Sequence, residues 1–512
     1  GPAAAAARPG PAPPCAPAPD LAAEFSSYSA APSARVRVDA VVSTIGFPLV
    51  GGPAGTMEGG RQAEVAREIL QSKDVPYFVA APLLIQDVRA WAKDGVSGLQ
   101  SVVLYALPEL DGAVDALPLG GLVNGDIFLV RERVASLAAR VLAWVTLRRT
   151  PPAERRVAAV LYGFPPGVGA TGTAALLDVP RSIDAIVGAM DGAGYDLGPG
   201  SRARERQGSG GAGGGSAAAA AAAAAEAETG GPEKWAGVGQ AVIDALARQL
   251  QPRALARGAA GVLAAGVGGE GGGGGGARSA AHFGAVAAAA DVPAAQLRDW
   301  LSFPPAWGPT EWGPIPFLPP SDILVRRMEA NWGDLRRQTQ AAAGGLPTGG
   351  DGTPVAAGVE LGKLRFGVQP ALGIEGDPMR LLFDRDLTPH PSYAAFYLHL
   401  RRGFKAHALL HLGMHGTVEW LPGSPLGSTA LSWPDVLLGN LPNAYVYAAN
   451  NPSESIVAKR RGFGTLVSYN VPPYGRSGLY KQLAALGDAL GEWREVAGGG
   501  GGGGESEEAA AA

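Results

Sequence analysis

Residues 407–427 read HALLHLGMHGTVEWLPGSPLG. At steps of four, His407, His411, His415 and Glu419 would line one face of a helix. Gly413 and Gly416 oppose a helix, because each glycine in a helix interior costs roughly 1 kcal/mol relative to alanine. AHALLHL fits a strand better, and GMHGTVEWLPG fits a loop after it. Residues four apart share one side of a strand as well, so His407 and His411 face the same way in both readings. The strand reading sets His415 and Glu419 beyond the strand's C-terminal end, the edge where open α/β sheets bind ligands. The spacing does not match the zinc-protease pattern HExxH. A buried histidine with a turn histidine, both hydrogen-bonded, is the plain alternative.

Working outward, the same strand–loop–helix rhythm recurs. VDAVVSTIGF reads as a strand, RQAEVAREILQSK as a helix, and VPYFVAAPLL and LQSVVLYAL as two more strands. VRERVASLAARVLAWVTLRR reads as an amphipathic helix, RRVAAVLYGF as a fourth strand and VPRSIDAIVGAMDGAGYDL as a helix with a glycine stop. Further on, KLRFGVQPAL is a strand, HPSYAAFYLHLRRGF a helix and KAHALLHLG a strand. NAYVYAANNPSESIVAKRRGFGTLVSY is a strand–helix–strand unit, with Asn451 and Ser453 as candidate helix caps. The class is therefore α/β, with parallel-sheet domains over residues 35–197 and 363–490. Residues 1–34 are Pro/Ala-rich, 198–290 form a low-complexity insertion around a short helix, 291–340 an aromatic-rich connecting segment, 341–362 a linker and 491–512 a tail. The Pro/Ala-rich segment, the Gly/Ala-rich parts of the insertion and the tail are expected to be disordered, since they bury too little apolar surface to offset ordering entropy.

Composition narrows the function classes. The chain has 512 residues, 46% hydrophobic, and a net charge of -4, so no basic surplus points to nucleic acid. Cys15 is the only cysteine, which excludes a disulfide framework and a cysteine zinc site. That fits a reducing compartment: a chloroplast stroma in a eukaryote, the cytoplasm in a bacterium. No stretch reads as a transmembrane segment or signal peptide, and the first residue is not Met, which reads as an internal fragment.

Other stretches carry candidate chemistry. GFPPGVGATGT, residues 163–173, resembles a phosphate-binding loop but lacks the lysine of GxxxxGK[ST]. GGPAGTMEGGRQ offers Glu58 and Arg61, either on a site loop or at a helix start. IEGDPMRLLFDRDLTPH offers Glu375, Asp377, Arg380, Asp384, Arg385 and His390, most of which internal ion pairs would explain. Lys459, Arg460 and Arg461 form either a solvated helix face or an anchor for carboxylates.

Longer runs carry a resemblance. VVSTIGFPLVGGPAGTMEGG, LQSVVLYALPELDGA, TLRRTPPAERRVAAVLYGFPPGVGATGTAALLDVP, EGDPMRLLFDRDLTPHPSYAAFY, HLGMHGTVEWLPGSPLG and SWPDVLLGNLPNAYVYAANNPSESIVAKRRG together resemble the large (H) subunits of the CobN/magnesium chelatase family, in the bacteriochlorophyll-type branch. The cobaltochelatase large subunit shares the HG-x-x-EW-x-PG and NPSE-x-x-x-AKRR signatures in looser form. The resemblance covers roughly Val36–Gly198, Asp299–Trp332 and Lys363–Leu490, and the family proteins are considerably longer. It implies ATP-dependent insertion of Mg²⁺ into protoporphyrin IX, with ATP hydrolysed by two AAA+ motor subunits (I and D) and not bound here. Mg²⁺ is a hard cation that prefers oxygen ligands and loses water reluctantly, and the ring must give up two pyrrole protons to a base. On that footing Glu419 is the first choice for metal delivery or proton acceptance, with His415 and His411 beside it and Glu419 and His415 as metal contacts. Glu58, Glu375 and Asp377 are further acidic candidates, while Arg380, Lys459, Arg460 and Arg461 are candidate propionate anchors. His407 lies outside the motif and reads as structural. The alternatives are cobalt insertion into a corrin ring and a non-catalytic porphyrin-binding scaffold.

Overall fold

The computed structural model describes residues 38–49, 67–162, 177–199, 201, 235–249, 286–287, 290–303, 321–335, 355–356, 358–370, 386–413, 416–447, 452–468 and 482–499. Along the chain the strands are β1 (Val41–Ser43), β2 (Tyr77–Asp87), β3 (Asp115–Val123), β4 (Asp126–Leu129), β5 (Val157–Leu161), β6 (Val286–Ala287), β7 (Ala290–Asp291), β8 (Val355–Ala356), β9 (Val359–Leu361), β10 (Leu364–Val368), β11 (Ala408–Gly413), β12 (Asn443–Tyr447) and β13 (Gly464–Val467). The principal helices are α1 (Val88–Asp94), α2 (Arg131–Arg149), α3 (Val179–Gly192), α4 (Val238–Gln249), α5 (Ala294–Leu301), α6 (Ile323–Trp332), α7 (Pro391–Leu398), α8 (Trp433–Leu438), α9 (Pro452–Arg461) and α10 (Gln482–Gly499).

Two sheets organise the molecule. The first has the order β1-β2-β3-β4, parallel except for β4, which runs antiparallel to β3. Here LQSVVLYAL, expected as a strand, is helical: Leu99–Ser101, a π-turn over Val102–Ala106 and Leu107–Asp111 follow one another. It is buried at Gln100, Val103, Leu104, Tyr105, Pro108 and Asp111, and the series 100, 104, 108, 111 follows the helical period. A short apolar run does not fix its own class, and here packing decides it. The third strand is instead DALPLGGLV, whose proline and paired glycines hide it. A Cβ at Gly121 would collide with the Leu83 carbonyl and one at Gly120 with the Phe128 carbonyl, so both strands flanking β3 approach it closely.

The second sheet runs β13-β12-β11-β5-β10-β9-β6. Its first five strands are parallel; β9 and β6 close that edge antiparallel. In order of appearance the parallel strands lie 2-1-3-4-5, with β5 first, β10 on one flank and β11, β12 and β13 on the other. Chain direction across the sheet therefore reverses between β5 and β11, and the crevice beyond the C-terminal ends of those strands is where this topology places ligands. Alternate residues of β5 serve opposite layers. Ala158 and Val160 join a core with α5, α6, α7 and α8, whereas Ala159 and Leu161 join one with α3 and α4.

Several segments therefore lie elsewhere than their local pattern places them. β5, read together with residues 35–197, is the centre of the sheet built from 364–467, because its pairing partners β10 and β11 arrive much later in the chain. The segment read as a linker, 341–362, supplies β8 and β9, and the low-complexity insertion supplies β6; strands this short leave no periodic signal. α4 forms in the insertion as its sequence predicts. α10 continues past residue 490 to Gly499. Among the described residues no helix is long and apolar enough to cross a membrane. Residues 1–34 lie outside the described set.

The contact between the two sheet units joins a buried ionic cluster to an apolar seat for Leu426 in the core of the first unit. α2, read as amphipathic, buries Glu132, Arg133 and Arg140 along with Leu137. Arg133 pairs with Glu132 and Asp435 and donates to the Ser428 carbonyl at 3.0 Å. Arg140 reaches Asp115 and Asp435, both at 2.6 Å, and lies over the Phe463 ring. From the other unit, the stretch after the HGTVEW motif is pinned by Trp91 Nε1 donating to the Gly427 carbonyl at 2.7 Å and Val96 N–H to the Leu426 carbonyl at 2.9 Å.

Candidate functional site

β11 delivers the motif as its sequence predicts: a strand over 408–413 and, beyond residues 414–415, which lie outside the described set, a single 3₁₀ turn over Val418–Trp420. Glu419 sits on that turn and is 0% exposed, so it points inward and not from an open loop. Polar groups surround it. Tyr445 on β12 donates its hydroxyl hydrogen to Glu419 Oε1 at 2.7 Å, and the same hydroxyl oxygen accepts the Gly416 N–H. Burial, then the charge and hydrogen bond of Glu419, hold the Tyr445 hydroxyl well above its ordinary pKa, so it stays a donor.

A second layer of bonds fixes the loop. Gln369, just past β10, accepts at its side-chain oxygen from Thr417 N–H at 3.0 Å and from the Tyr397 hydroxyl at 3.1 Å. Thr417 and Tyr393 share a hydroxyl–hydroxyl hydrogen bond of 2.8 Å. His411, the middle histidine of the series, is 3% exposed. Its Nδ1 meets Asn443 Oδ1 at 2.8 Å and its Nε2 meets the Tyr397 hydroxyl at 3.3 Å. Asn443 donates its amide N–H to the Gly462 carbonyl, which turns its oxygen toward His411; Nδ1 therefore carries the imidazole proton. Burial pushes the His411 pKa down to about 4, with the Asn443 bond pulling weakly the other way, so the ring is neutral near pH 7.

Gly416 is where the packing is tightest. A Cβ there would lie 2.9 Å from Gln369 Oε1, 3.1 Å from Glu419 Oε2 and 3.2 Å from the Tyr445 hydroxyl. Gly416→Ala is expected to cost about 1–3 kcal/mol of stability by overpacking and to displace the Glu419 carboxylate. A thermal melt alongside the activity of the full-length protein would check both.

His390, another of the histidines noted in the sequence, caps α7 through Nδ1, packs edge-on to Trp332 and is pushed by burial to a pKa of about 4. Since His390 and His411 are ordinary histidines once unfolded, the unfolded chain takes up protons first as pH falls below about 6.5. The folded rings resist until about 4. Their contribution to stability is therefore complete above pH 6.5 and declines between 6.5 and 4, by up to about 1.4 kcal/mol per pH unit per histidine. Denaturant midpoints across that range would read the effect.

The remaining candidates divide. Glu58, Glu375, Asp377, Arg380 and His415 lie outside the described residues, as does the 163–173 loop. Lys459 donates to the Ala113 carbonyl at 2.9 Å and Arg460 grips Glu109 with bonds of 2.7 and 2.9 Å, so both fasten α9 to the first sheet unit. Arg461 donates to the Leu421 carbonyl, just past Glu419. These three thus make ties within the fold, where the sequence left a solvated helix face or a carboxylate anchor open. His407 accepts the Arg156 N–H at 2.9 Å, a structural bond. Among the described residues no three His, Cys, Asp or Glu side chains gather as metal ligands.

Sequence reasoning missed Tyr445, Tyr447, Gln369, Tyr393 and Tyr397. The alternation in NAYVY was the available signal: Tyr445 and Tyr447 fall two apart on β12 and share its face, with ring centroids 5.9 Å apart. Nothing local announces Gln369.

A buried acid and tyrosine network at the reversal point of a 2-1-3-4-5 parallel sheet is the setting into which the comparisons fit. The chain belongs to the CobN/Magnesium Chelatase family, whose profile matches residues 11–207 and 319–509. It is 36% identical over 461 residues to the magnesium-chelatase H protein of Chlorobaculum parvum, covering 90% of this chain and 29% of that protein. The aerobic cobaltochelatase CobN protein of Pseudomonas aeruginosa is 41% identical over 157 residues, 31% of this chain and 12% of that protein. Among solved structures, the catalytic subunit of cobaltochelatase from Mycobacterium tuberculosis superposes with a TM-score of 0.54 at 26% identity, over 90% of this chain and 32% of that one. The chain thus spans under a third of the length of these relatives.

Proposed function

We propose that this chain is part of the porphyrin-binding catalytic subunit of a magnesium chelatase, which inserts Mg²⁺ into protoporphyrin IX on the way to chlorophyll. In this reading ATP is hydrolysed by separate AAA+ partners, the I and D subunits. The observation that carries the chemistry is Glu419, wholly buried at the ligand-binding edge of the sheet and held at one oxygen by Tyr445. For the substrate and metal, the reading rests on the magnesium-chelatase relative aligning along most of the chain, where the CobN relative aligns along about a third.

Insertion requires two pyrrole N–H bonds to break while Mg²⁺ sheds water for ring nitrogens. Glu419 is the group that takes a pyrrole proton: its N–H electron pair stays on nitrogen for the metal, and the proton forms an O–H bond on the carboxylate. Tyr445 orients that carboxylate. His411, neutral and bonded through Nδ1 to Asn443, ties β11 to β12 and is not a base near pH 7. The metal contact assigned by resemblance to Glu419 and His415 stays part of the proposal only as a handover to the ring. Since Lys459 and Arg460 are tied to the first sheet unit, the propionates fall to other basic groups, Arg380 among them.

Cobalt insertion into a corrin ring is the second reading, favoured by the likeness to the solved cobaltochelatase structure. Full-length protein, supplied with the motor subunits, ATP, Mg²⁺ and protoporphyrin IX, should yield the fluorescence of the magnesium porphyrin. Porphyrin quenching without product would leave a scaffold, and product only with Co²⁺ and a corrin would leave the second reading.

A further inference from the structure

In this conformation Glu419 is 0% exposed and meets neither ring nor water. A carboxylate that serves a macrocycle must first be uncovered. Its two neighbours in the fold are both held from outside its own sheet unit.

The first neighbour is the loop that follows the Glu419 turn. Residues 422–433 are pinched at their base, where Trp433 N–H donates to the Pro422 carbonyl at 2.9 Å. The tip of this loop reaches the first sheet unit. Three successive carbonyls accept from that unit: Leu426 from Val96 N–H at 2.9 Å, Gly427 from Trp91 Nε1 at 2.7 Å and Ser428 from Arg133 at 3.0 Å. The Leu426 side chain joins the apolar core of the same unit. Gly427 has a φ of +71°, and a Cβ there would lie 2.7 Å from Val96 and 2.9 Å from Pro118, so the tip is seated without slack.

The second neighbour is α9. At its C-terminal end Arg461 donates to the Leu421 carbonyl, and a Cβ at Gly462 would lie 3.5 Å from Glu419 Cβ. The two side chains before Arg461 go the other way, Lys459 to the Ala113 carbonyl and Arg460 to Glu109. The first unit therefore grips both the loop that leaves the Glu419 turn and the helix that lies against it.

We infer that the first sheet unit sets the position of Glu419, with Trp91, Arg133, Lys459 and Arg460 as positioning residues acting through loop 422–433 and α9, and that withdrawal of this unit opens the turn to the ring. The ring is that of the chelatase reading above, on which this inference rests. A protein that holds the first unit then controls Glu419 without touching it. The rival explanation is a static joint that only fastens the two units together.

Trp91→Phe keeps an aromatic ring and removes the donor to Gly427, while Arg460→Gln breaks the partly buried tie to Glu109. The Gly416 and Thr417 amides, bonded to Tyr445 and Gln369, report opening of the turn. In the full-length protein their hydrogen exchange should rise about fivefold in each variant, the shift expected from one lost tie. Quenching by protoporphyrin IX should quicken by the same factor, and exchange in β5, at the centre of the second sheet, should keep its wild-type rate. Unchanged exchange at 416 and 417, or a rise that β5 shares, overturns the proposal. Glu109→Cys with Arg460→Cys, bridged by a short bis-maleimide, should insert Mg²⁺ about tenfold more slowly than the same protein unbridged. Equal rates with and without the bridge also overturn it. Failure of the chelatase reading looks different: the wild-type protein then takes up no porphyrin, while exchange at 416 and 417 still follows the joint.

Discussion

Glu419→Gln in the full-length protein is expected to lower Mg²⁺ insertion by about 10²–10⁴-fold while protoporphyrin IX still binds. The substitution is isosteric, and the amide oxygen can still accept from the Tyr445 hydroxyl that now holds Glu419 Oε1. The surrounding bonds of Gln369, Thr417 and Tyr393 do not involve the carboxylate, so the loop keeps its frame. What disappears is the carboxylate that would accept a proton at the ligand edge of the sheet. Quenching titration would report binding and product fluorescence would report turnover. Undiminished turnover would remove Glu419 from the chemistry and, with it, the base in the proposed mechanism.

The second large effect concerns stability. Arg133→Met should destabilise the chain by about 3–5 kcal/mol, the usual cost of removing one partner from a buried ion pair. Arg133 is 2% exposed and satisfies Glu132, Asp435 and the Ser428 carbonyl together. Without it, two acids remain in the interior with Arg140 alone to answer Asp435 at 2.6 Å. Denaturant unfolding would measure the loss, and a shift below about 1 kcal/mol would mean that the cluster is solvated in solution. Replacing Glu132 and Asp435 by apolar residues in the same chain should recover much of the loss, since an apolar substitute for a buried charge set is often neutral. The two acids respond oppositely to pH. Arg133 and Arg140 hold Asp435 below its ordinary 3.8 despite burial, so its contribution is present above that value and is lost as pH falls through the lowered one. Burial raises Glu132 above its ordinary 4.5, so its ionisation costs stability, and acidification relieves that cost first.

How much of this was legible in the sequence depends on the range of the interaction involved. The glycines at 413 and 416 were enough to turn the histidine series from helix to strand, and β11 followed. The alternation of strands and helices gave the α/β class. LQSVVLYAL failed because a short apolar run carries no period of its own, and β3 failed because its proline and glycines serve close strand contacts that only the neighbours reveal. α2 has helical length and good formers, but its inward face is ionic, so an apolar stripe was the wrong thing to seek. At the site, the HGTVEW motif pointed to Glu419. The tyrosine that clasps it comes from a different strand, and the glutamine that pins its loop from a third.

The position of β5 bears on how the protein is made. Arg156, at its edge, bonds to His407, 251 residues away in sequence. During synthesis this strand leaves the ribosome long before either neighbour exists, and its Val157–Leu161 segment has two apolar faces and two open edges. Such a segment invites pairing with other nascent chains until β10 and β11 emerge. Slow maturation is the expected consequence of that delay, and soluble yield in an expression host should rise with lower growth temperature and added chaperone.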